Sequence, residues 1–313
     1  MDCSSPDALS GLGSSFFRRR RMKKTLFIFI LFLITGDLVA ASLKVSPGGF
    51  IVHDIKPGTT YNLRELTGIK LSIYNDDETT HTYSLSVHKP SVAGKWEKGY
   101  DEIPDPAWCW FSPDEATIGP QKVGYGNLFF RIPDKERYYN QRWVATLGIM
   151  GKQEQGIGFG LGIYVRVQIE TESAADVSEK PDGALGLVPG ALSFENIPPG
   201  KSLSKKVRIY NNDTMAHTYT IAPLTRDPEM TPSTYLTRSL QQLPDSSWIS
   251  CDKESLTIKP DKSGVLTISL HVPRNPEYSD KKWEELLFLK PENGRSGFIR
   301  IRITTTKTND EQK

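Results

Sequence analysis

Two histidines occupy matching places in this chain, and duplicated imidazoles are the first residues to question for chemistry. His81 closes the segment Asn75-Asp76-Asp77-Glu78-Thr79-Thr80-His81, and His217 closes Asn211-Asn212-Asp213-Thr214-Met215-Ala216-His217. An imidazole can bind a metal or carry a proton near neutral pH. Neither histidine has a second ligand at metal spacing: the sequence holds no His-Glu-x-x-His and no Cys-x-x-Cys, and His53, His88 and His271 do not recur. The oxygens of the same two segments suit calcium, but the spaced ligand ladder and the glycine of a calcium loop are missing. Asn and Asp in such turns bond their own backbone. A structural role is expected for both histidines, with no metal.

Gly158, Gly160 and Gly162 alternate along one apolar run. A phosphate-cradling fingerprint needs a strand-to-helix turn, so these glycines instead allow close approach by another backbone or side chain. A partner strand, an aromatic cover and the chain's own loop all fit that reading. Trp96, Tyr100 and Trp110 have no counterparts elsewhere in the chain. Aromatic residues in a long connection are candidates for binding carbohydrate, peptide or protein. No nucleophile has a visible base and orienting group, so no catalytic residue and no cofactor is expected. The candidate binding residues are Trp96, Tyr100, Trp110, Gly158, Gly160 and Gly162.

These residues sit on a duplicated framework. Ile73 to Tyr83 returns as Ile209 to Tyr219, and Pro104-Asp105, Trp108, Ile132-Pro133 and Trp143 return as Pro244-Asp245, Trp248, Val272-Pro273 and Trp283. A period of this length is a whole domain. Strand alternation is strongest from Ile157 to Ile169 and recurs from Phe298 to Ile303. Short strands separated by Pro, Gly, Asn and Asp indicate antiparallel β-sandwiches. The expected fold is all-β, two tandem sandwiches at 42–171 and 184–305, with a polar linker at 172–183 that lets them move relative to each other and a polar tail at 306–313. Leu63 to Gly68 is an insert of the first repeat only. Leu236, Leu240 and Leu243 predict a short helix or turn from Ser233 to Leu243.

Residues 1–41 read as an export segment, with a signal peptide at 22–41: Met22-Lys23-Lys24, an apolar run from Leu26 to Ile34, then Ala40-Ala41. The run is too short to remain as a membrane span. Without these residues the chain has 33 basic and 34 acidic side chains, a balance that argues against nucleic acid. Cys109 and Cys251 lie one in each repeat at non-equivalent positions. Both are expected to be small buried hydrophobes.

The order Val45-x-Pro47, Lys56-Pro57-Gly58, Ile73-Tyr74-Asn75, Trp108-x-x-Phe111-Ser112-Pro113, Ile132-Pro133 and Trp143 resembles bacterial immunoglobulin-like domains related to the major sperm protein and pilus-chaperone superfamily. It is most similar to the WxL-interacting, peptidoglycan-binding envelope proteins. The resemblance implies immunoglobulin-like sandwiches in a non-catalytic exported protein, periplasmic or extracellular. Its partner would be an envelope or surface protein, or peptidoglycan or another glycan. Position of the alternating strand before the linker raises a second expectation, a periplasmic assembly chaperone acting by strand donation.

Overall fold

A computed structural model describes residues 43–94, 96–152, 161–224, 235–237 and 239–307. The first half carries β1 (Leu43–Ser46), β2 (Gly49–Ile55), β3 (Tyr61–Asn62), α1 (Leu63–Thr67), β4 (Leu71–Asn75), β5 (His81–His88), β6 (Asp101–Glu102), β7 (Cys109–Phe111), β8 (Glu115–Ile118), β9 (Lys122–Gly126), β10 (Leu128–Phe130), β11 (Arg142–Gly151) and β12 (Gly162–Thr171). The second carries β13 (Leu185–Val188), β14 (Ala191–Ile197), β15 (Ser202–Asn211), β16 (His217–Pro223), β17 (Gln241–Gln242), β18 (Ile249–Cys251), β19 (Ser255–Ile258), β20 (Lys262–His271), β21 (Lys282–Pro291) and β22 (Gly297–Thr305). The chain is all-β in two similar sandwiches.

In the second half, the order β13-β15-β20-β18 makes one layer and β14-β22-β21-β16-β19 the other. The first half repeats this as β2-β12-β11-β5-β8 against β1-β4-β9 with β3-β10-β7. Two packed layers of mainly antiparallel strands are visible in both. Pairing is antiparallel except where β2 runs beside β12, β14 beside β22, β6 beside β11 and β17 beside β21. The first two of these arise because the opening strand of each half crosses from one layer to the other and comes to lie beside the closing strand.

The insert at 63–68 is α1. Asn62 accepts hydrogen bonds from the Arg64 and Glu65 amides at its start, and Gly68, at φ 72°, ends it in the left-handed region. It splits into β3 and β4 what the copy keeps as the single strand β15.

Each sandwich has its own core, because alternate residues of every strand face inward. Trp108 and Trp143 meet at 5.4 Å beside Tyr138, and Trp248 and Trp283 meet at 5.4 Å beside Tyr278. Such edge-to-face pairs add about 0.5–1.5 kcal/mol to the gain from burial. Buried Cys109 and half-buried Cys251 are free thiols; burial pushes the first up and the second up to about 11.

Of the short helix or turn expected from Ser233 to Leu243, the described residues form the turn. Leu240 N–H bonds the Thr237 carbonyl in a turn, and Gln241–Gln242 pair with β21. The leucines serve two different cores: Leu236 packs at the junction of the halves, while Leu243 enters the second sandwich. A single helix face could not reach both.

Candidate functional site

The halves meet through a buried seam. Tyr100 and Val144 of the first pack with Leu224, Tyr235, Leu286, Phe288 and Phe298 of the second. Beside this cluster, Arg300 of β22 is fully buried, with Nε 2.8 Å from Glu170 Oε2 and Nη1 2.8 Å from Glu284 Oε2. Its Nη2 donates to the Tyr235 carbonyl at 3.0 Å. Tyr100 donates its hydroxyl to Glu170 Oε1 at 2.6 Å. Burial opposes the Glu170 charge, but Arg300 and then His53 outweigh it and hold the carboxyl well below the usual range. Burial, followed by the Glu170 charge, drives the Tyr100 hydroxyl well above its ordinary value.

A cleft of about 1090 Å³ opens along β2, between the sandwiches. Gly49, His53, Lys70 and Arg166 line it from the first half, Thr237 and Ser239 from the second. His53 Nε2 lies 3.1 Å from Thr237 Oγ1, and Arg302 clasps the Asp54 carboxylate at 2.8 and 3.1 Å. Arg166 pairs with Glu97. The lining mixes polar and apolar groups and bears charges of both signs.

At the mouth of this cleft, β12 is paired unequally. β11 follows it from Gly162, whereas β2 joins only from Arg166, opposite Gly49. Among the described residues, 162–165 therefore have a neighbour on one edge alone. Leu161 and Tyr164 flank that edge and are 41 % and 46 % exposed. Unpaired strand edges present N–H and C=O groups that another chain can use.

The structure scatters the residues singled out by the sequence. Tyr100 is 4 % exposed, an anchor of the seam with no face left for an external ligand. Trp96 is 46 % exposed and lies under Arg295 of the second half, whose guanidinium sits 5.0 Å from its ring. Aromatics without a counterpart thus mark where the first copy packs on the second. Trp110, 37 % exposed, points away from the seam and stacks on Phe129. The Met150 side chain lies over Gly162 where a Cβ would stand, so the chain's own side chain covers it. Gly158 and Gly160 lie outside the described residues.

His81 Nε2 is 2.8 Å from Asp77 Oδ2, and His217 Nε2 is 2.9 Å from Asp213 Oδ2. The buried amides of Asn75 and Asn211 bind backbone carbonyls across the same turns, including those of Ile118 and Ile258. These contacts account for the duplicated turn as a brace between strands. Among the described residues no three His, Cys, Asp or Glu side chains gather to hold a metal ion, and no helix is long and apolar enough to cross a membrane.

Sequence reasoning missed Glu170, Glu284 and Arg300. The alternation of Ile299, Ile301 and Ile303 with Arg300 and Arg302 reads as one apolar and one solvated face. The first sandwich covers Arg300 instead and leaves Arg302 partly exposed.

No protein-family model matches the chain, and no curated protein matches it. Among solved structures, it is similar to a protein of unknown function from Porphyromonas gingivalis, at 12% identity and a TM-score of 0.33, over 84% of this chain and 99% of that one. It is similar to the E. coli chaperone DraB at 9% identity and a TM-score of 0.30, over 83% and 98%. The PapD-like domain 7 of human CEP192 matches at 9% and 0.29, over 50% and 100%. The narrower likeness to WxL-interacting envelope proteins has no support from a family model or a curated relative.

Proposed function

We propose that this chain is an exported, non-catalytic binding protein, and that its first sandwich takes an extended segment of a partner protein along the open edge of β12. The carrying observation is the one-sided pairing of 162–165, flanked by exposed Leu161 and Tyr164. A segment added there would gain main-chain hydrogen bonds, while Leu161 and Tyr164 supply side-chain contacts. Its continuation would enter the cleft beside Gly49 and Arg166, where polar groups of both halves are available. This favours strand pairing with a protein, the chaperone-like expectation, over a partner held by Tyr100.

Copurification from the periplasm tests it. The full chain should bring down a protein partner, and Leu161→Asp with Tyr164→Asp should lose it, while Val265→Asp on the second half retains it. Hydrogen exchange should show the amides of Gly162 and Tyr164, which point away from β11, protected only in the complex. Equal capture by the Leu161/Tyr164 variant, with no protection of those amides, rejects the reading. The same preparation should begin at Ser42 if cleavage follows Ala41; mass spectrometry reads this directly.

A further inference from the structure

Because the halves are copies, their outer faces can be compared position by position. The layer of β1, β4, β9, β10 and β7 faces away from the seam, which is built on β2, β11 and β12. On that face Trp110 lies opposite Phe129 in register, the rings 5.6 Å apart and within 14° of parallel. The positions 140 residues on are Ser250 and Ser269, again opposite each other, and Ser269 meets Ser204 at 2.7 Å. Tyr125, 61 % exposed, has Val265 as its counterpart. Serine rows are ordinary for a solvated sheet face. Exposed rings in water carry a cost that a ligand can recover.

Two lysines of this face lie beside its rings. Lys44 Nζ lies 5.2 Å from the Tyr74 ring centre and Lys70 Nζ 6.0 Å from that of Tyr125. Neither lysine meets a described carboxylate, so each can receive one from outside. The apolar rings do not form a continuous patch. Asn127 stands between Tyr125 and Phe129 along the strand run, and its amide is bonded to Asn62 and Ser112. Protein interfaces concentrate apolar contact in a desolvated centre; separated rings among amides and hydroxyls suit a ligand rich in hydroxyl groups.

We infer that this face binds an acidic polysaccharide. Sugar rings lay their C–H faces, the positive side of polarised bonds, on the negative faces of Tyr125 and Trp110. Their carboxylates meet Lys44 and Lys70. Lys70 also lines the cleft, but Trp110 and Tyr125 lie off the β12 edge, so their variants test this face independently of the protein-binding reading.

Affinity electrophoresis of the full chain in gels containing polygalacturonate, with dextran as the neutral control, tests this. Polygalacturonate should retard the chain and dextran should not. Trp110→Ala and Tyr125→Ser should each raise Kd roughly tenfold, the loss of one anchor contact. Lys70→Gln should weaken binding and reduce its salt dependence. Ser250→Ala and the Leu161/Tyr164 variant should bind like the parent. If Trp110→Ala lowers Tm, Tyr125→Ser, at an exposed site, decides. No retardation by polygalacturonate overturns the inference. So does retardation unchanged by both aromatic substitutions, which would be adsorption by charge alone. Capture of a protein partner that depends on Trp110 while polygalacturonate fails to bind also overturns it.

Discussion

Arg300 and Glu170 meet across the two sandwiches, 130 residues apart in sequence, with Nε 2.8 Å from the carboxylate oxygen and both side chains buried. The guanidinium fork is shared with Glu284 on the neighbouring strand, which Arg302 also approaches at 3.5 Å. Burial works against the Arg300 charge, and Glu170 followed by Glu284 outweighs it, raising the guanidinium above its ordinary value. The polar composition of 172–183 suggested sandwiches free to move. A charged seam with a ring cluster beside it opposes that motion.

Removing the cation should therefore be costly. Arg300→Met leaves Glu170 and Glu284 buried without their partner and should destabilise the chain by about 3–5 kcal/mol. Urea unfolding measures this. A loss under about 1 kcal/mol would show that water reaches both carboxylates.

Acid should act through the same group. Glu170 titrates in the folded chain below its unfolded value of about 4.3, so its contribution is complete above that pH and is lost as pH falls toward the folded pKa. Asp77 and Asp213 are held low chiefly by their histidine bonds and add in the same direction. Stability should be flat from about pH 6 to 5 and decline below about pH 4, with a shallower decline in Glu170→Gln. An unchanged acid limb in that variant removes Glu170 from the account.

Trp143 and Trp283 are 2 % and 3 % exposed at equivalent core positions. Either, replaced by Ala, should lose about 3–5 kcal/mol. Thermal and chemical melts should agree between the two sites; a large asymmetry would mean that one sandwich relaxes around the cavity.

Gly58 and Gly200 hold the same turn in each half at φ 84° and 88°. An alanine there enters the left-handed region, at about 1–2 kcal/mol. Gly58→Ala also places a Cβ 3.0 Å from Asp134 Cβ, against 3.3 Å from Arg274 Cβ at Gly200. Gly58→Ala should be at least as destabilising as Gly200→Ala, and a neutral result at both would reject the turn argument.

A fragment of residues 43–172 keeps the whole first core but exposes Tyr100, Val144 and Glu170. It should fold cooperatively with a lower Tm than the same sandwich in the full chain. A molten product would show that the seam is required for folding.

The duplicated Asn, Trp and Pro-Gly landmarks determined the two sandwiches by themselves, because period-two burial and turn chemistry are local and each copy repeats them. The structural role of His81 and His217 was legible for the same reason: their aspartate partners are four residues away. Tyr100 and Arg300 were not legible. Both lie on strand faces or connections that would be solvated in a lone sandwich, and only the neighbouring sandwich excludes water from them. Trp110 and Trp96 looked alike in sequence as aromatics without a counterpart. Tertiary packing separated them, turning one toward the second half and the other toward solvent, since which layer faces the seam depends on contacts more than a hundred residues apart.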